Sequence, residues 1–112
     1  MLIKHHYEKG VCIVTVNGNM AFERVDELEA FFKPLLKDEA TKGIALSLEN
    51  VDLIDSTGIG LIVSMFKALQ QRGARLVLYH VSEKKLEIFT MTNLDNMLPL
   101  YETEAEALAS FE

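Results

Sequence analysis

Val51-Asp52-Leu53-Ile54-Asp55-Ser56-Thr57-Gly58-Ile59-Gly60 is where this chain changes its hydrophobic rhythm. Just before it, Ile44, Leu46 and Leu48 alternate with Ala45 and Ser47, the period of a strand. Just after it, Ile59, Ile62, Val63, Phe66 and Leu69 recur as one helical stripe, with Ser64, Lys67 and Gln71 opposite. A second β-prone run, Ala74 to Tyr79, follows Arg72-Gly73. Strand, short loop, amphipathic helix and strand in that order make a parallel crossover, so the stretch predicts an α/β domain with a helix starting near Ser56 or Thr57.

Working outward, residues 2–7 and 11–17 are strand-like and joined by Lys9-Gly10, which reads as a hairpin. Asn17-Gly18-Asn19 ends that pattern. Val25, Leu28, Phe32, Leu35 and Leu36 then mark a first helix to about Lys37, which Pro34 is expected to kink or to shorten to about Phe32. Beyond the second strand run, Ser82 is placed to cap a helix ending near Asn93, with Leu86, Phe89 and Thr90 on one face and Ile88 and Met91 on another. Met97 to Tyr101 reads as a short edge strand, and Thr103 to Phe111 as a terminal helix capped by Thr103. The whole is one domain over 1–112, with a mixed sheet of four to five strands and helices packed mainly on one face.

With 112 residues the chain has length for a single core only. Its 17 acidic and 11 basic residues give a formal charge of −6, which argues against nucleic acid or an anionic membrane surface as a partner. The one cysteine, Cys12, lies in an apolar run, so no internal disulfide is possible and a reducing cytoplasm is the expected location. The opening Met1-Leu2-Ile3-Lys4-His5-His6 lacks the pattern of a cleaved leader, and no run is long enough to span a bilayer. With its edge strands protected, such a domain is expected to be a monomer when free.

Enzymatic readings lack partners. The histidines are His5, His6 and His80, and neighbours on a strand such as His5 and His6 point to opposite faces, so no metal site is expected. No phosphate loop or dinucleotide fingerprint is present, and no cofactor is called for. Asp55-Ser56-Thr57-Gly58 lacks the preceding Gly and the second copy that an aspartic protease needs, and Ile54 stands where the first Gly of a hydrolase elbow would be. Asp55, Ser56 or Thr57 can each cap the helix that follows. Gly58 and Gly60, however, each cost roughly 0.8 to 1 kcal/mol in a helix, and a close approach by another backbone, a phosphate or a partner would account for them. Leu61, Met65 and Ala68 fall outside the stripe; they are covered by a neighbouring helix or form an interaction patch beside Ser56.

Asp55-Ser56-Thr57-Gly58-Ile59-Gly60 resembles the D-S-[ST]-G-[LI]-G signature of the STAS domain, and within it of the stand-alone bacterial anti-sigma factor antagonists. Val81-Ser82 followed by Phe89-Thr90-Met91-Thr92-Asn93-Leu94 resembles that family's V-S and F-x-M-[ST]-x-L. One departure stands out: antagonists carry G-x-[LI]-D after the second strand, and here Gly18-Asn19-Met20-Ala21 lacks the aspartate, leaving Asp55 as the acidic neighbour, with Asn19 or Glu23 as substitutes.

The resemblance implies a partner switch with no catalysis by this chain. The unmodified antagonist binds an anti-sigma factor that is also a GHKL-type serine kinase and frees the sigma factor; phosphorylation releases it and a PP2C-type phosphatase resets it. The acceptor carries over to Ser56, with Thr57 as the second choice. The recognition surface is expected to comprise Asp55, Ser56, Thr57, Gly58, Gly60, Leu61 and Ser64, together with Asn19, Met20 and Ala21 in the loop from Gly18 to Phe22. The competing expectation is a non-catalytic STAS subunit of a membrane lipid-transport complex, in which Ser56 serves only as cap and contact.

Overall fold

The computed structural model describes residues 2–112. Its elements are β1 (Leu2–Glu8), β2 (Val11–Asn17), α1 (Val25–Lys37), β3 (Gly43–Ser47), α2 (Ser56–Gln71), β4 (Arg75–Tyr79), α3 (Glu83–Met91) and α4 (Glu104–Ala109). Short 3-10 turns stand at Phe22–Arg24 and Leu94–Asn96. The sheet order is β1-β2-β3-β4: β1 is antiparallel to β2, and β2, β3 and β4 run parallel. Each parallel step is bridged by a helix, α1 from β2 to β3 and α2 from β3 to β4, as the alternation of patterns in the sequence required.

The strands bury two faces. Cys12, Val14, Val16, Ile44, Leu46, Leu76 and Leu78 face the main core, together with Leu28 and Phe32 of α1, Ile62, Met65 and Leu69 of α2, and Phe89 of α3. Val11, Ile13, Ala45, Val77 and Tyr79 face the other way, under Ala107, Leu108 and Phe111 at the C-terminus. Three helices therefore lie on one face and only short α4 on the other. Thr103 holds α4 in a capping box: its side chain accepts from the Glu106 N–H, and the Glu106 carboxylate accepts from the Thr103 N–H.

The structure decides between the two ends expected for the first helix and changes two other expectations. The helix α1 runs through the exposed Pro34 to Lys37, the longer of the two. Arg72 supports that end: its Nε donates to the Leu36 carbonyl at 2.8 Å, and its Nη2 donates at 3.2 Å to the Leu35 carbonyl, which also accepts the Asp38 N–H at 3.4 Å. Arg72→Ala is therefore expected to cost about 1 to 2 kcal/mol, read as a lower urea midpoint with an unchanged m-value. The strand expected at 97–101 shrinks to a single parallel bridge between Leu78 and Leu100, because Pro99 has no N–H for a longer ladder. That segment still covers the outer edge of β4, through Leu78 N–H to Pro99 O and Tyr101 N–H to Leu78 O.

The apolar stripe of α2 is rotated from the one read in the sequence. Leu61 and Met65 are buried with Ile62 and Leu69, while Ile59, Val63 and Phe66 are only half-buried at its margins. The helix packs against both β4 and α1, so two neighbours demand a wider buried face than a sheet alone would. On α3 the structure buries Phe89 but leaves Leu86 and Met91 exposed.

Candidate functional site

Two loops meet where α2 begins. The chain leaving β2 and the chain leaving β3 continue side by side beyond the sheet: Gly18 N–H donates to Asn50 O at 3.1 Å, Met20 N–H to Leu53 O at 2.9 Å, and Asp55 N–H to Met20 O at 3.2 Å. Met20 and Ile54 form an isolated parallel bridge there. Met20 and Val51 are fully buried and Ile54 nearly so, which pins both loops to the core. Their polar and apolar alternates, Asp52 and Leu53, point to solvent.

Asp55 locks this junction. As the residue before α2, it accepts the Gly58 N–H on Oδ1 at 2.9 Å, and on Oδ2 it accepts the Phe22 N–H from the other loop at 3.0 Å. These bonds, the Gly58 one foremost and the Phe22 one next, hold the carboxyl below its ordinary value of 3.8. A depressed folded value means the clip stabilises the fold fully above the unfolded aspartate value and loses that contribution as pH falls through the lower, folded one. Asp55→Asn is expected to destabilise at pH 7, because an amide cannot accept at both positions, and the gap to wild type should close on acidification. Urea titrations at pH 7 and pH 3 read this directly; a gap independent of pH would deny the clip its charge.

Of the three capping candidates, then, Asp55 takes the role. Ser56 becomes the first residue of α2, exposed, and its hydroxyl has no hydrogen-bond partner among the described residues. Thr57 is half-buried. Both Asp55 oxygens are turned to backbone N–H groups, so no base is directed at the Ser56 hydroxyl, and the group is suited to being read or modified, not to attacking a substrate.

The two helical glycines have different reasons. A Cβ on Gly58 would overlap the Met20 carbonyl oxygen and stand 2.8 Å from the Met20 carbonyl carbon, so the neighbouring backbone demands glycine there. A Cβ on Gly60 would meet nothing within 4 Å. Gly60→Ala is accordingly expected to raise stability by about 0.8 to 1 kcal/mol, visible as a higher urea midpoint. Among the described residues no neighbour requires glycine at that position.

Several residues expected on the recognition surface do not reach it. Met20 is fully buried, Ala21 and Leu61 are 2% and 8% exposed, and Gly58 is buried under the Met20 backbone. These residues lie beneath the site, because the paired loops and the α1–α2 contact consume them. Asp55 is spent on its two N–H donors. Ser56, Gly60 and Ser64 are exposed as expected, and Asn19 and Thr57 partly so. The site also contains Leu53, at 51% exposure, which the sequence reading did not single out. Val51 and Ile54 are buried while Asp52 and Leu53 between them are exposed, so a period of two does not signal its direction.

The fold and site thus define a small α/β domain with an exposed serine at a capped helix start. The chain belongs to the STAS domain family, whose model matches residues 4–107. It is 38% identical over 94 residues to the anti-sigma-B factor antagonist of Staphylococcus aureus, covering 83% of this chain and 86% of that one. The Thermotoga maritima protein TM1081 has the same fold at 27% identity and a TM-score of 0.89, with 96% of this chain and 92% of that one aligned. SpoIIAA, at 19% identity, shares the fold both unphosphorylated, with a TM-score of 0.81 over 98% of this chain and 96% of that one, and phosphorylated, with 0.76 over 99% and 100%. Among the described residues no helix is long and apolar enough to cross a membrane.

Proposed function

We propose that this chain is an anti-sigma factor antagonist acting by partner switching in the cytoplasm, a binding protein and not an enzyme. Unphosphorylated, it holds a GHKL-type anti-sigma serine kinase and so frees a sigma factor; phosphorylation of Ser56 by that kinase releases it, and a PP2C-type phosphatase restores it. The observation that carries this reading is the division of labour at the start of α2: Asp55 caps the helix, so the exposed Ser56 hydroxyl has no structural task. Family membership, the names of the relatives and the bare surface at Gly60 support it. Ser56 is preferred over Thr57 because Thr57 is half-buried.

The test is capture from the native lysate on immobilised wild type, Ser56→Ala and Ser56→Asp, with retained proteins identified by mass spectrometry. A GHKL-type anti-sigma factor is expected on wild type and Ser56→Ala and to be lost from Ser56→Asp. Transport-complex subunits held equally by all three would overturn the switch in favour of stable assembly.

A further inference from the structure

On the reading that this chain binds an anti-sigma factor, we infer that Phe22 and Leu53 are the apolar anchors of that complex, received by an apolar pocket bordered by basic side chains. Large apolar groups rarely stay in water without a use when they cluster at a site. Phe22 is 72% exposed and Leu53 is 51% exposed, and both are held against the junction that presents Ser56. Phe22 donates its N–H to Asp55 Oδ2 at 3.0 Å. The Leu53 carbonyl accepts from Met20 N–H at 2.9 Å, and the Met20 carbonyl in turn accepts from Asp55 N–H at 3.2 Å.

Rigid presentation is what distinguishes an anchor from a stray surface residue. One chain neighbour of each, Ala21 before Phe22 and Ile54 after Leu53, is buried, and the Phe22 N–H and the Leu53 carbonyl are both hydrogen-bonded, which anchors the backbone that carries the two side chains. A partner therefore orders little when it covers them, and large side chains on a fixed backbone are the usual carriers of binding energy.

Charge points to the partner's chemistry. Within two positions of Phe22 and Leu53 stand Glu23, Asp52 and Asp55 against one basic residue, the half-buried Arg24, and no lysine or arginine occurs from Glu49 to Phe66. An acidic rim around apolar anchors selects and steers a basic rim around an apolar pocket. The same arrangement gives the serine its leverage, because a phosphate on Ser56 would place a dianion beside the apolar patch that the pocket must close over.

The experiment titrates the anti-sigma factor retained by wild type, once purified, against wild type, Phe22→Ser, Leu53→Ser and Met91→Ser. Met91 is the control, an apolar side chain 82% exposed on α3. The expected result is a rise in Kd of about tenfold or more for Phe22→Ser and for Leu53→Ser, with Met91→Ser within about twofold of wild type and all melting curves alike. Association should also slow as salt rises. Unchanged Kd for both anchor variants, or equal loss in Met91→Ser, would overturn the anchors and leave the functional reading in place. Failure of wild type itself to retain an anti-sigma factor would overturn that reading and the anchors with it.

Discussion

A phosphoryl group on Ser56, or Ser56→Asp in its place, is expected to weaken the anti-sigma factor complex about a hundredfold while changing the stability of the free domain by no more than about 1 kcal/mol. The two halves of this result come from different neighbours. Within the chain, Ser56 opens α2, its side chain supports nothing, and the cap it might have supplied comes from Asp55. A dianion there meets the positive end of the helix dipole, which favours it by roughly 0.3 to 1 kcal/mol, against exposed and therefore screened repulsion from Asp52 and Asp55. Across an interface the balance reverses. A surface fitted to a neutral hydroxyl has no room for three phosphoryl oxygens and cannot close its apolar pocket over Phe22 and Leu53 without desolvating them, and a loss of about 3 kcal/mol is roughly a hundredfold in Kd. Ser56→Ala should bind as wild type does and be blind to the kinase. Calorimetric titration paired with thermal melts checks both halves; a variant that binds normally, or one that unfolds, would refute the separation of switch from scaffold.

Much of this was legible in the sequence because it is local. Alternation at Ile44 to Leu48, the helical spacing after Ser56, and the caps at Ser82 and Thr103 are decided within a few residues, and the structure places strands and helices accordingly. The choice among Asp55, Ser56 and Thr57 as cap was not legible, since all three can accept a first-turn N–H. What decides it is the Phe22 N–H, 33 residues away in sequence, which gives the second carboxylate oxygen of Asp55 a partner that a hydroxyl could not serve at the same time. Met20 and Ala21 were misplaced on the surface for the same reason: a loop read alone looks exposed, and only its pairing with residues 50–55 turns it into a wall of the core. For Leu61 and Met65 the sequence left cover by a neighbouring helix or an interaction patch open, and the structure decides for cover, because the width of a buried helical face depends on how many elements flank it and α2 has both α1 and β4. The signature Asp-Ser-Thr-Gly thus announced a site, while its geometry was written in contacts distant along the chain.

Gly58→Ala should destabilise the domain by about 2 to 3 kcal/mol even though alanine is the better helix former. Helix propensity alone would credit the substitution with roughly 0.8 to 1 kcal/mol, so the sign itself is diagnostic. The added methyl would overlap the Met20 carbonyl oxygen, and that oxygen is not free to retreat. It accepts the Asp55 N–H at 3.2 Å, its residue is fully buried, and the next peptide leads to the Phe22 N–H held by Asp55. Making room means either shifting α2 on its core or opening the ladder between the two loops, and each breaks hydrogen bonds at the junction. Gly60→Ala, two residues on, meets open space and should move stability the other way. Equilibrium urea denaturation of the two variants side by side is therefore a sharp measurement, because propensity predicts the same sign for both and the close approach of Met20 predicts opposite signs. A Gly58→Ala variant that still folds should also bind the anti-sigma factor less tightly, since displacing Met20 displaces Phe22, whereas a Gly58→Ala as stable as Gly60→Ala would mean that the two loops are not clamped and that Ser56 is presented by the helix alone.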